Sequence, residues 1–256
     1  ELVEDLVDVD RHSRLDNEDL LARFHLDHAD EEDYWWTVKL WYFRMINSAR
    51  PLEEQLALMW HNRFATAASK SLNPLMLRNH MEMLRDRGLG NFQVLLSELA
   101  HDPGMIYWLD QQTNHLGAIN ENWGRELLEL FSMSRGNYTE EDVKAAALAF
   151  TGWTIAQTIP RYPNGWYESG FVFRADDHDY SEKSFLGESG NFDGDEIVDI
   201  IARHPATGQH VATTLYKYFV ADEPDSEAIE TLANVYFDSG YEISEMMRVL
   251  FNSDFF

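Results

Sequence analysis

The 256-residue sequence contains no cysteine. Disulfides, thiolate metal sites and cysteine nucleophiles are thereby excluded. It lacks any run of about eighteen apolar residues, so no stretch of it reads as a membrane-spanning helix. Cations are scarce: 20 Lys and Arg stand against 45 Asp and Glu, a net charge of −25. A surface so negative repels phosphate backbones, because nucleic-acid affinity rests on Lys and Arg neutralising phosphates. It disfavours anionic membranes for the same reason. We therefore expect no nucleic-acid partner. Two readings of the acidity stay open: a strongly solvated surface adapted to salt, or attraction for a cationic substrate or divalent metal ions.

Several signatures are also missing. There is no GxxxxGK[ST] phosphate loop, no GxGxxG dinucleotide turn, no HExxH zinc motif and no GxSxG elbow. Nucleotide-dependent and α/β-hydrolase readings have nothing to stand on. Neither an initiator Met nor a signal peptide is present. Glu1 opens in helix-like sequence and Phe256 closes in mid-pattern, as expected of a piece of a longer protein.

What is present is an aromatic, helical pattern. Hydrophobic residues make up 45% of the chain and aromatics 13%, enough for a core rich in rings. Apolar residues recur at steps of three and four almost throughout. Leu2, Leu6 and Val9 predict a short helix. Asn17 is expected to cap a second one with Leu20, Leu21 and Phe24 on one face. The acidic run Asp30 to Asp33 opens an aromatic helix over Tyr34 to Ile46, where carboxylates suit the positive end of the helix dipole. Pro51 begins the next, with Leu56, Trp60, Phe64 and Ala67 as its buried stripe. Helices follow from Pro74 to Gly88, from Asn91 to about His101, from Pro103 to about Asp110, and from Asn120. Thr139 with Asp142 approximates a capping box for a helix ending near Gly152. Residues 153–192 then hold glycines, prolines and short alternating stretches such as Trp166 to Phe173, a loop-rich insert with one small β-hairpin. Helices resume over Ile197 to Ala202, Ala206 to Val220, Ser226 to Phe237 and Ile243 to Phe251. The expected fold is all-α: one multi-helix globular domain over 1–256, with an irregular insert at about 153–192.

The segment Asn120 to Leu130 draws attention first. On an α-helix, Trp123, Leu127, Leu130 and Phe131 share the core face. Glu126 lies on one edge of that stripe and Glu121 near the other, while Arg125 and Glu129 point away. A carboxylate at the rim of an aromatic core is partly desolvated, which raises its pKa toward acid/base use. Gly124 inside a helix costs about 1 kcal/mol relative to Ala, which suggests close packing or binding against the backbone there. The plainer account is a Glu121–Arg125–Glu129 ladder with an asparagine cap. His61 and Asn62 sit one step off the core stripe of their helix. His61 is either a satisfied structural histidine or a proton carrier or metal ligand. In Asp176-Asp177-His178-Asp179-Tyr180, an acidic turn competes with an oxygen and imidazole cation site. His204, in Arg203-His204-Pro205, reads as a histidine favoured by a helix C-terminus.

Taken in order, these segments resemble the bacterial family catalogued as domain of unknown function 1800. The matching stretches are Leu58 to Phe64 (LMWHNRF), Arg87 to Phe92 (RGLGNF), Asp102-Pro103-Gly104-Met105, and Asn120-Glu121-Asn122 through Glu129-Leu130. They continue with Tyr138-Thr139, Thr151-Gly152-Trp153-Thr154, His178-Asp179, Leu186-Gly187, Arg203 to Thr207 and Lys217 to Asp222. Two positions depart from the family: Arg63 and Phe131 stand where relatives often carry histidine, which removes two potential ligands or acid/base groups. The resemblance implies an exported, periplasmic or secreted protein, often encoded beside a sulfatase-like partner.

Three functions follow as expectations. The first is an enzyme, a hydrolase or lyase on an extracellular polymer such as a glycan. Glu121, Glu126 and His61 would be catalytic. Asn62, Asn120, Asn122, Trp123, Arg125, Trp153 and His178 would bind substrate, and Trp60, Trp123 and Trp153 would offer an aromatic platform. Two glycosidase carboxyls should stand about 5–9 Å apart across a cleft. The second is a non-catalytic surface or assembly protein whose polar motifs fix helix packing. The third is a metal site of His61, Glu121, Glu126 and His178. Whether a metal or other cofactor is bound is left open by the sequence.

Overall fold

Helix starts in this chain are written locally, by caps and prolines, and the computed structural model places them where those signals stand. It describes residues 1–14, 34–71, 73–156 and 169–256. The expected helix capped by Asn17, the acidic run Asp30 to Asp33 and the start of the Trp166 to Phe173 alternation lie outside the described residues. The described helices are α1 (Leu2–Val7), α2 (Tyr34–Asn47), α3 (Pro51–Arg63), α4 (Pro74–Arg87), α5 (Phe92–His101) and α6 (Pro103–Trp108). Then come α7 (Asn122–Glu126), continued by a π-helix (Leu127–Met133), α8 (Glu140–Ala149), α9 (Gly194–Arg203), α10 (Pro205–Phe219), α11 (Ser226–Asp238) and α12 (Ile243–Asn252). Asn73 and Asn91 cap α4 and α5 through their side-chain oxygens. Thr139 and Asp142 form the reciprocal capping box of α8, and Asp193 with Glu196 does the same for α9. Each cap satisfies N–H groups that the first helical turn leaves without partners.

The fold is mostly helical, as its periodicity predicts. The insert holds two antiparallel pairs rather than one hairpin. Strand β1 (Trp153–Ile155) pairs with β2 (Phe171–Phe173), and β3 (Lys183–Phe185) pairs with β4 (Glu188–Gly190). A core of buried residues runs from Val7 to Leu250, with Trp60, Trp123, Phe64, Phe92, Phe150 and Phe185 fully enclosed. No described helix is long and apolar enough to cross a membrane.

Three local expectations are corrected. Helix α3 ends at Arg63, so Ala67 lies beyond it in a turn. Helix α7 begins at Asn122, because the Asn120 side chain accepts from the Asn122 N–H and bends the chain in just before it. From Leu127 the helix widens to π geometry, in which hydrogen bonds reach five residues back. The Ser132 hydroxyl follows the same step, donating to the Leu127 carbonyl at 2.6 Å. Widening rotates the face, so Leu128 and Ser132 enter the core while Leu130 is 48% exposed.

The odd glycine has a packing reason. A Cβ on Gly124 would lie 3.1 Å from the Val143 carbonyl and 3.2 Å from both the Ala146 Cβ and the Ala147 nitrogen. Helices α7 and α8 thus cross backbone to backbone at this residue. Gly124→Ala is expected to destabilise the protein by about 1–2 kcal/mol, because overpacking against atoms that cannot swing aside outweighs the gain in helix propensity. Urea denaturation of the two proteins checks this; an increase in stability overturns it.

Candidate functional site

The π-helix ends at Met133, and the next residue is strained. Ser134 has φ 66° and ψ 161°, a conformation that residues with a Cβ rarely adopt. Its neighbours hold it there. The Asn137 amide donates to the Met133 carbonyl at 2.8 Å and to the Ser134 carbonyl at 3.5 Å. The Ser134 hydroxyl lies 2.7 Å from Nδ1 of His210, which projects from α10. The backbone of Leu130 is a second hydrogen-bond partner of that ring. A carbonyl only accepts, so the ring donates to it, and Nδ1 accepts from the serine hydroxyl when Nε2 carries the hydrogen.

This pair opens onto a cavity of about 320 Å³. The Phe64 and Phe131 rings pack edge to face at 5.2 Å, which draws the C-terminal end of α3 onto the π-helix and sets Arg63 at the cavity wall. Lys217, two turns beyond His210 on α10, lines it too. Burial first, and Arg63 second, push the His210 imidazole down from its ordinary value to about 4, against a smaller opposing effect from Leu130. A second cavity of about 640 Å³ adjoins it, lined by Tyr138, Glu141, Asp142, Leu186 and His204; Asn137 lines both.

The residues expected to carry chemistry are placed differently. Glu121 is half-buried and pairs with Arg125 at 3.3 Å, and Arg125 in turn grips Glu140 with both Nη atoms at 2.8 and 2.7 Å. Glu129 is outside that ladder and accepts from Arg135 and the Tyr138 hydroxyl. Glu126 is half-buried; burial and then the neighbouring Glu129 raise its carboxyl above the ordinary value. Asn120 and Asn122 brace the preceding loop, donating to the carbonyls of Asp110 and Leu109. The expected aromatic platform does not form: Trp60, Trp123 and Trp153 are 2%, 1% and 4% exposed. Apolar area is worth more inside than on a wet face, and these rings are large.

His61 and Asn62 do not line either cavity. Asn62 is exposed. The His61 ring stands edge-on to Trp41 and to His80, its Nδ1 is buried without a partner, and burial followed by the charge at His80 lowers it to about 4. His178 is buried and donates from Nδ1 to the Thr151 carbonyl. Its acidic neighbours diverge: Asp177 binds His115 and the Leu116 N–H, and Asp179 binds Ser181 and Lys183. Among the described residues no three His, Asp or Glu side chains group as a metal would require, so the His61–Glu121–Glu126–His178 site is not assembled. His204 closes α9 as its C-cap and begins α10 as its N-cap. Its Nδ1 accepts from the Ala206 N–H, which requires the neutral ring, and burial lowers it accordingly.

Ser134 and His210 escaped the sequence reading, and Lys217 appeared in it only as the start of a matching stretch. Ser134 and His210 stand 76 residues apart, and nothing local announces the pair. The nearest signal was Arg63, singled out only as a departure from a relative's histidine.

A family model described as "Protein of unknown function (DUF1800)" matches residues 4–256, nearly the whole chain. No curated protein and no solved structure matches.

Proposed function

Since the chain belongs to the DUF1800 family, and membership by itself carries no activity, we propose from its geometry that it is a serine hydrolase of ester bonds, with Ser134 as nucleophile and His210 as base. The observation that carries this reading is the strained Ser134, its hydroxyl 2.7 Å from a histidine nitrogen at the mouth of an open cavity. Strain of this kind persists where surroundings over-determine it, and it clusters at functional sites. A nucleophile, a base within hydrogen-bond reach and a third group orienting the base form the arrangement that activates a hydroxyl. The third group here is the Leu130 backbone.

The chemistry follows from those positions. Ser134 Oγ attacks the ester carbonyl as its proton passes to His210 Nδ1. The tetrahedral adduct collapses, the C–O bond to the leaving alcohol breaks, and His210 returns the proton to that alcohol. Water, deprotonated by the same Nδ1, then releases the acyl group and restores the serine. The adjoining cavities on either side of Asn137 suit an extended ligand, which favours a polymeric substrate. An extracytoplasmic setting and a sulfatase-like partner remain part of the proposal through the family resemblance.

A fluorophosphonate probe tests the reading. The wild-type protein is expected to carry one adduct on the peptide containing Ser134, and Ser134→Ala none, with unchanged circular dichroism. An unlabelled wild type overturns it. The raised Glu126 carboxyl favours a second reading, a carboxylate acid in place of the serine. In that case Glu126→Gln would abolish turnover while Ser134→Ala left it intact.

A further inference from the structure

We infer that the Ser134 cavity contains an oxyanion subsite, formed by Arg63 and Lys217, that binds a negatively charged group on the substrate. The inference rests on the hydrolase reading for the word substrate, but the subsite itself stands on the charge distribution.

Carboxylates outnumber cations 45 to 20 in this chain, so a basic side chain usually finds an acidic one. Arg14, Arg44, Arg50, Arg85, Arg87, Arg125, Arg203 and Arg248 all do. Arg63 and Lys217 are among the exceptions, and they share one cavity. Neither has a carboxylate partner among the described residues, and both are exposed. Among the described residues no Asp or Glu lines that cavity; its other polar walls are Ser134, Asn137, Gln209, His210 and two threonines. A donor-rich pocket that holds two cations and no carboxylate, on a strongly acidic protein, has a local potential opposite to that of the surface around it. Such a pocket concentrates anions that the rest of the molecule repels. The guanidinium fork suits a planar carboxylate or two oxygens of a phosphate, and the ammonium adds a point charge. The shared chemistry is an oxyanion one group away from the scissile ester.

The placement has a consequence for the base. His210 faces Arg63 from α3, Ser134 and Leu130 from the π-helix, and Lys217 on its own helix. An anion seated on Arg63 cancels the part of the depression that Arg63 contributes, while burial, the larger cause, remains. The bound substrate would therefore strengthen the base that attacks on its behalf.

Titration of the protein with inorganic phosphate and, separately, with acetate, at fixed ionic strength, decides the matter. His210 ring signals followed by NMR in the Ser134→Ala protein are expected to shift saturably, and the His210 pKa to rise from about 4 as anion binds. The double variant Arg63→Gln/Lys217→Gln is expected to bind at least about tenfold more weakly, since it loses both charge-assisted contacts. Saturation by phosphate alone assigns a tetrahedral oxyanion, and by acetate a carboxylate. Absence of saturable binding, or binding indifferent to the double variant, overturns the subsite. Because Ser134→Ala cannot turn over, an anion that binds while the wild type resists fluorophosphonate sinks the hydrolase and leaves the subsite standing.

Discussion

Asp102→Ala is expected to destabilise the protein by about 3–5 kcal/mol, the range for stripping one partner from a buried ion pair. Asp102 is 6% exposed and His80 is fully buried. The carboxylate Oδ2 takes His80 Nδ1 at 2.7 Å and the Met105 N–H at 2.8 Å. His80 Nε2 meets the Phe64 carbonyl at 3.0 Å. Both ring nitrogens thus face acceptors. The alanine leaves that ring without its carboxylate in the core and removes the cap of α6 together. Asp102→Asn keeps an acceptor without the charge, so an intermediate loss is expected. His80→Leu, which removes the other partner and fills the space, should cost less than Asp102→Ala. Chemical denaturation at pH 7 ranks the three; an alanine loss under about 1 kcal/mol means the pair is replaceable by water.

That buried pair marks where the sequence stops being legible. Pro103 was visible as a helix start, because a proline in the first turn acts locally. The same locality exposed Thr139 with Asp142, Asn91 and Pro74. His80 gave no sign, since its partner lies 22 residues away and is fixed by how α4 meets α6. The π-helix was invisible for a related reason. A 3.6-residue period places Leu130 inside, and only the packing of Phe131 on Phe64 and Trp123 reveals that the turn has widened. The Asn120-Glu121-Asn122 run was recognisable and was read as chemistry. Its asparagines are spent on loop carbonyls and its glutamate on Arg125. The strained serine could not be seen at all: a positive φ at Ser134 is a property of the chain's return path, and its histidine arrives on α10.

Ser134→Ala and His210→Ala are each expected to lower kcat/KM for ester hydrolysis by about 10³–10⁴-fold, with the double variant little worse, because the two groups act as one unit. The pH profile separates this from a structural role. The base must be neutral, and His210 in the folded protein titrates near 4, below the ordinary 6.5. Activity is therefore present above the folded value and lost as pH falls through it. At pH 5.5 a histidine of ordinary pKa would be only about 10% neutral, whereas His210 would be almost wholly so. The acid limb of kcat/KM should consequently lie near pH 4, and Arg63→Gln should move it modestly upward by removing the smaller of the two influences that depress the ring, burial being the larger. His61 is depressed to about 4 as well, so its buried neutral form adds stability that is full above pH 6.5 and fades below it. Circular dichroism recorded at each pH distinguishes loss of base from loss of fold. An acid limb at 6.5 in a protein still folded, or a Ser134→Ala protein that keeps its turnover, removes His210 and Ser134 from the chemistry.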